Sequence, residues 1–322
     1  MEIGSFLELQ LPKGRELYSA EKDIARLNTG RMAIWHAFRV TGCTRIWIPI
    51  YQCDSIRETF ERKGVEVCFY SQDSHFTPID IAATESDAVL LVNYYGIMSN
   101  SRMEELAKKY KHPIIDCAQA FFCKPIENAL MVYSCRKFVG VPDGAYVVGK
   151  NAHLYIDEYP QCYSSDTASF LLKRIEYGCE GKGYEARGIN ESRIDSEDCM
   201  KMSKLTRVLL DAEDYEYNRR KRKENFDIAH TLLGDINKID PINYYDDDTI
   251  PMVYPLVVED DSLIQRLFAA KHFQGHWWSY ICEEQPEDTF EHWLSRYVIP
   301  ITIDQRYGIE ELNYLAKIIR HE

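Results

Sequence analysis

Between residues 45 and 148 the chain alternates short apolar runs with amphipathic ones, and this rhythm narrows the possible folds more than any other feature. Arg45–Ile50, Val65–Tyr70, Ala88–Asn93, Pro113–Asp116, Leu130–Ser134 and Ala145–Val148 read as strands. Helical runs at 54–63 and 102–110 fall between them. Several of the strand runs are apolar without alternation, as expected of strands covered on both faces. Strand–helix alternation of this kind predicts an α/β fold built on a large, mostly parallel sheet covered by helices.

Outside this region the pattern changes. Residues 15–27 read as a short amphipathic helix, and Asn28-Thr29-Gly30 reads as the cap of a helix over 31–41. The polar 160–200 stretch reads as loop or mobile helix, and 203–232 as one long charged helix with Arg219–Lys223 on a solvated face. Strand Met252–Val258, helix 261–272, strand Tyr297–Ile301 and helix 309–319 then suggest a compact α+β unit. For a chain of 322 residues this predicts a large α/β domain over 1–200 and a smaller C-terminal α+β domain over 201–322.

Charge narrows the partners. Lys plus Arg is 38 and Asp plus Glu is 51, so the net charge is 38 − 51 = −13. That balance argues against a nucleic-acid binder, although a few local cations suffice for a small anionic substrate. No run approaches the ~18 apolar residues of a membrane span, and Met1-Glu2-Ile3-Gly4 lacks the basic start of a signal peptide. The ten cysteines are scattered, with no CxxC pair, so reduced thiols, no metal site and a cytoplasmic location are expected.

Three short segments carry possible chemistry. Asp116 ends an apolar strand and is followed by Cys117-Ala118-Gln119-Ala120. Such a carboxylate can pair with a buried cation at a sheet edge, or it can simply cap the next helix. Ser134 and Lys137 come after the next strand and lead into Pro142-Asp143-Gly144. A lysine desolvated among apolar neighbours becomes a nucleophilic amine, while most lysines are plain surface residues. Asn28-Thr29-Gly30-Arg31 opens a helix, where free N–H groups attract an anion, and where an ordinary N-cap is the plainer reading.

Taken in order, these segments, with Ile48-Pro49-Ile50-Tyr51-Gln52-Cys53, Val92-Asn93-Tyr94-Tyr95-Gly96 and the late Ile299-Pro300-Ile301-Thr302, resemble the DegT-type pyridoxal-phosphate aminotransferases. The resemblance implies fold type I of the pyridoxal-phosphate-dependent transferases, pyridoxal 5'-phosphate as cofactor, and a homodimer. It implies that Lys137 carries the cofactor and later shuttles a proton, and that Asp116 pairs with the ring nitrogen. By the same match Gln119 approaches the ring's phenolic oxygen, and Gly30, Arg31 and Ser134 bind the phosphate. Cys53 falls where relatives place an aromatic residue against the ring, with Tyr51 two residues before it. Asn190 is a candidate for a phosphate-binding asparagine supplied across the dimer. Ser203, Thr206 and Arg207 are candidates to approach the site, with a solvated helix as the plainer reading. His276, Trp277 and Trp278 read as core more readily than as substrate pocket.

The function so implied is amino transfer from an amino-acid donor such as glutamate to a keto acceptor, with nucleotide-linked keto-sugars as the relatives' acceptors. Relatives that dehydrate typically replace the lysine with histidine, and Lys137 argues against that branch. A non-catalytic or regulatory protein that keeps the fold is the alternative. A Rossmann-type nucleotide binder is disfavoured because no GxGxxG follows a strand.

Overall fold

The computed structural model describes residues 3–321. In chain order the elements are β1 (Ile24–Leu27), α1 (Gly30–Thr41), β2 (Arg45–Pro49), α2 (Asp54–Arg62), β3 (Glu66–Gln72), β4 (Pro78–Ile79), β5 (Asp87–Val92) and α3 (Asn100–Ala107). They continue with β6 (His112–Cys117), β7 (Leu130–Ser134), β8 (Ala145–Val148), α4 (Ser169–Tyr177), α5 (Lys182–Ser196), α6 (Lys204–Asp211) and α7 (Tyr215–Leu233). The last are β9 (Val253–Val257), α8 (Leu263–Ala269), α9 (Ile281–Glu284), α10 (Phe290–Tyr297), β10 (Val298–Thr302) and α11 (Ile309–Arg320).

Eight strands form one sheet in the order β1-β8-β7-β6-β5-β2-β3-β4. Strands β7, β6, β5, β2 and β3 run parallel, whereas β8 is antiparallel to both of its neighbours and β4 to β3. Both faces are covered, which explains the unbroken apolar runs. Ala88, Leu90, Ile114, Val132 and Val147 point to one core with Ala33, Ile34, Ala37 and Phe38 of α1 and Phe60 of α2. Val89, Leu91, Ile115, Met131 and Tyr146 point to the other, with Met103 and Leu106 of α3 and the C-terminal elements. There β9 and β10 pair antiparallel, Val298 opposite Val257 and Thr302 opposite Val253, as a second small sheet.

Three expectations for the local structure are corrected. Residues 15–27 are not a helix: turns occupy 17–20 and β1 follows. Ala25 and Leu27 alternate as buried residues, and the free edge of β8 recruits them in the register Ile24↔Val148 to Leu27↔Ala145. The 203–232 stretch is two helices, because the Asp214 side chain accepts the Tyr217 N–H at 2.9 Å and starts α7 afresh. The charged run 219–223 is not wholly solvated. Arg222 is 2% exposed, donates to the Met252 carbonyl at 2.9 Å and lies 4.5 Å over the Phe138 ring. Burial lowers its pKa to about 10. The 160–200 stretch contains the helical hairpin α4–α5, turned through Gly178 and Gly181, both with positive φ.

All ten cysteines are free thiols. Among the described residues no helix is long and apolar enough to cross a membrane.

One ion pair, with its carboxylate buried and its guanidinium half-buried, anchors the start of the parallel sheet. Arg45 on β2 donates to both oxygens of Asp87 on β5, at 2.9 and 2.8 Å, and Thr84 adds two further donors. Arg45 holds the Asp87 carboxyl well below the usual carboxylate range. A depressed folded-state pKa gives stability that is present above the unfolded value and lost as pH falls through the folded one. Asp87→Asn is therefore expected to lower the urea midpoint at pH 7. The gap from wild type should close as the pH is taken below about 4, the ordinary carboxylate value.

Candidate active site

The residues singled out from sequence converge because adjacent parallel strands end side by side. Gln52 follows β2, Asn93 follows β5, Asp116 lies near the end of β6, and Ser134 ends β7. The carboxyl edge of such a sheet is where α/β folds place ligands.

At one end of this edge is an anion cradle. Helix α1 starts at Gly30, and the Thr29 side chain caps it by accepting the Met32 N–H at 3.3 Å. The N–H groups of Gly30 and Arg31 make no hydrogen bond among the described residues. A Cβ added at Gly30 would sit 3.5 Å from Ser134 Cβ and 3.7 Å from its Oγ, so the hydroxyl borders the helix start. Ser134 Oγ likewise makes no hydrogen bond within the described chain. Two free amides, a free hydroxyl and the positive end of the helix dipole are suited to an anion.

Asp116 lies on the neighbouring strand, β6. It is 5% exposed, and its Oδ1 accepts the Ala118 N–H at 2.8 Å while Oδ2 accepts Gln52 Nε2 at 3.2 Å. Burial pushes the carboxyl pKa up, partly offset by the positive charge of Lys137 and by these two donors. Gln119, 3% exposed, accepts the Tyr95 N–H on Oε1 at 2.7 Å. That contact fixes the amide's orientation and leaves Nε2 as a free donor. Tyr95 holds a left-handed backbone (φ 57°), and Gly96 beyond it cannot carry a Cβ, which would lie 2.3 Å from the Gln119 carbonyl.

Lys137 closes a single helical turn, Cys135–Lys137, directly after β7. It is exposed and makes no ion pair or hydrogen bond among the described residues, which corrects the expectation of an apolar, desolvated setting. Its neighbours are firmly held. Arg136 pairs with Glu191 of α5, and the Phe138 carbonyl accepts Gln305 Nε2 at 3.0 Å.

Other candidates are placed elsewhere. The Arg31 guanidinium turns to the end of α5, where it meets the Ile194 carbonyl and Asp195 at 2.8 Å. Cys53 caps α2, with its thiol 3.1 Å from Ser55 Oγ, and Tyr51 is in the core, its hydroxyl 2.8 Å from that of Tyr95. Asn190 is fully buried, donating to the Pro142 carbonyl at 2.9 Å and accepting from Thr167 at 2.7 Å, so it is not available to a ligand. Ser203 and Thr206 are not solvated but bind the buried Asp143, while Arg207 is exposed. Trp277 and Trp278 are half-buried against Tyr95 and Tyr51, and His276 meets the Val298 carbonyl at 2.9 Å.

Sequence reasoning missed Gln52, Tyr95 and Asp143. A glutamine after an apolar strand and an aspartate in a Pro-Asp-Gly turn carry no pattern of their own. A cavity of about 500 Å³ lies apart from these groups, between the α4–α5 hairpin and the 270–274 loop.

The groups at the edge fit pyridoxal phosphate on three counts. The unpartnered amides with Ser134 suit a phosphate. The buried Asp116, with no salt bridge among the described residues, suits a protonated ring nitrogen, and the free Nε2 of Gln119 suits a ring oxygen.

No family model matches the chain, and no curated protein matches it by sequence. Solved structures match it in three dimensions. The sugar aminotransferase CalS13 from Micromonospora echinospora is 14% identical, with 94% of this chain and 88% of that chain covered and a TM-score of 0.61. A DegT DnrJ EryC1 StrS aminotransferase from Brucella abortus is 14% identical, with 94% and 87% covered and a TM-score of 0.63. NtdA from Bacillus subtilis, solved with bound cofactor PMP, is 12% identical, with 94% and 74% covered and a TM-score of 0.64. The chain thus has fold type I of the pyridoxal-phosphate-dependent transferases, with a large mixed sheet and a smaller α+β part.

The raised carboxyl pKa of Asp116 has a measurable consequence. A folded chain that binds this proton more tightly than the unfolded chain loses stability as pH rises through the folded value. Asp116→Asn removes that penalty. The cofactor-free variant is expected to melt higher than wild type at pH 8, with a smaller difference at pH 4, in thermal scans.

Proposed function

We propose that this chain is a pyridoxal-phosphate-dependent aminotransferase of the DegT type, with Lys137 holding the cofactor and Asp116 facing its ring nitrogen. The observation that carries this reading is the convergence of Lys137, Asp116 and the Gly30–Ser134 anion cradle at the ends of neighbouring strands on one sheet edge. When bound, pyridoxal phosphate supplies a carbon that accepts an amino group and a ring that spreads the charge left by a departing proton.

The chain's own residues divide the remaining work. The Gly30 and Arg31 amides and Ser134 Oγ bind the phosphate. The main chain of Arg31 serves here, since its guanidinium is committed to α5. The Asp116 anion favours a proton on the ring nitrogen. Gln119 Nε2 donates to the ring oxygen, with its own oxygen held by Tyr95. Lys137 Nζ, free of any ion pair among the described residues, moves the proton on and off the substrate's α-carbon.

The donor is an α-amino acid of the glutamate kind, and the acceptor is a carbonyl compound. A nucleotide-linked keto-sugar is the acceptor class suggested by the likeness to a sugar aminotransferase. A homodimer is part of the proposal. Leu172 and Ile175 on α4 and Ile189 on α5 are 67%, 82% and 62% exposed, an apolar surface that a second copy would cover.

The test is direct. Purified protein given pyridoxal phosphate should turn yellow, and borohydride should fix the cofactor to Lys137. Lys137→Ala should lose the adduct and slow half-transamination by at least about 10²–10⁴-fold. An unchanged adduct in that variant would refute the assignment of Lys137. A coloured protein inert to every common amino acid would instead favour a non-catalytic role.

A further inference from the structure

We infer that Gln52 is a positioning residue for Asp116: its side-chain amide holds the buried carboxylate charged and in place at the sheet edge. The inference rests on the reading of this edge as a pyridoxal phosphate site.

The geometry leaves Gln52 little freedom. It is 3% exposed and sits in the bend between β2 and α2. Its Oε1 accepts the Cys53 N–H at 2.9 Å, which turns Nε2 toward Asp116 Oδ2 at 3.2 Å. Its main chain is also occupied. The N–H donates to the Ile50 carbonyl at 3.0 Å, and the carbonyl accepts the Tyr280 hydroxyl. Tyr280 is held in turn by Arg57, whose guanidinium lies 5.5 Å over its ring and pairs with Glu284 on α9. The amide is thus braced from both α2 and the C-terminal part.

Asp116 needs this donor. The carboxylate is buried without a paired cation, and only two N–H groups among the described residues reach it, from Ala118 and from Gln52. The Ala118 donor belongs to the main chain of its own turn, so Gln52 is the side chain that determines how well the anion is satisfied. The other titratable groups around it are Lys137 after β7, Tyr94 after β5 and the adjoining Cys117. Burial pushes the Tyr94 and Cys117 pKa values up and keeps both neutral, and neither donates to Asp116. Without Gln52 the carboxyl would take up a proton at higher pH and lose its grip on a cation at the ring-nitrogen position.

Two variants separate this role from simple packing. Gln52→Met removes both the donor to Asp116 and the acceptor for the Cys53 N–H. Gln52→Glu keeps the acceptor, removes the donor and adds a like charge. In cofactor-free protein the Asp116 carboxyl is followed by carbon-13 NMR against pH, with Asp116→Asn as the assignment control. Both variants should raise its midpoint by about one to two pH units. A midpoint unmoved in Gln52→Met, which removes the donor without adding charge, would overturn the inference.

Uptake gives a second readout. Gln52→Met should bind pyridoxal phosphate several-fold more weakly, yet bind the analogue with C–H in place of the ring nitrogen as well as wild type does. Equal losses for both ligands would mean that Gln52 acts only through local structure. If wild type takes up neither ligand, the site reading fails, while the Asp116 titration still decides the role of Gln52.

Discussion

The Asp143 carboxylate is fully buried with no cation paired to it among the described residues, and much of the site's geometry depends on how it is satisfied. Its Oδ1 accepts Ser203 Oγ at 3.1 Å and Thr206 Oγ1, and its Oδ2 accepts the Ser203 N–H at 3.2 Å and Cys162 Sγ at 3.1 Å. Neutral donors on this scale can offset the desolvation of one anion. They come from the 162–206 region, so the turn after Lys137 is fastened to the segment that covers it. The next residue, Gly144, donates its N–H to the Asn28 carbonyl at 2.6 Å, and Asn28 is bound through both backbone and side chain to Asp198 and Met200. Gly144 takes φ 114°, and a Cβ there would lie 2.8 Å from Thr206 Cγ2, so the approach depends on glycine. One buried carboxylate thereby links the lysine turn to the start of α1, where the anion cradle lies.

The rest of the site depends on strand order. Because β7, β6, β5 and β2 are neighbours, residues 82 positions apart in sequence, Gln52 and Ser134, end on one edge. The orientation of the polar groups is then set by main-chain donors rather than by ion pairs. Ala118 N–H holds Asp116, Tyr95 N–H holds Gln119, and Cys53 N–H holds Gln52. Amide donors of this kind do not reorganise when charge appears beside them, which would suit the proposed function of stabilising a changing charge.

Local pattern accounts for what could be read in advance. Strands β2, β3, β5, β6, β7 and β8, helices α1 and α2 and the late strand–helix pairs have a period and length that show in the residues themselves. Gly30, Ser134, Asp116 and Gln119 stand out only through the order they share with a known family, and the fold brings them to this edge. The features that were not legible depend on distant partners. β1 exists because β8 offers a free edge, and Arg222 is buried because Met252 and Phe138 close over it. Asn190 looks like a loop ligand in sequence and is saturated by Pro142 and Thr167 in the fold. Charge and polarity alone cannot tell a solvated residue from one whose partners lie dozens of positions away.

The exposed side chain of Lys137 is the remaining tension, and it bears on where the reactive environment comes from. Every polar group at the edge other than Lys137 is buried and directed by the single chain: Asp116, Gln119, Ser134 and Gln52 are 5%, 3%, 8% and 3% exposed. The lysine is held only at its flanks, through Arg136 to α5 and through Phe138 to Gln305. The chain therefore buries the groups proposed to meet phosphate and ring and leaves the amine at the surface. Cys53 points the same way, because its thiol is turned to Ser55 and Asp54 and the chain supplies no aromatic at that position. Under the proposed function, enclosure of the amine has to come from the bound molecule and from the surface that covers the exposed apolar side chains of α4 and α5. On that reading the cofactor would be held through one chain, and the reactive face would be completed only on assembly.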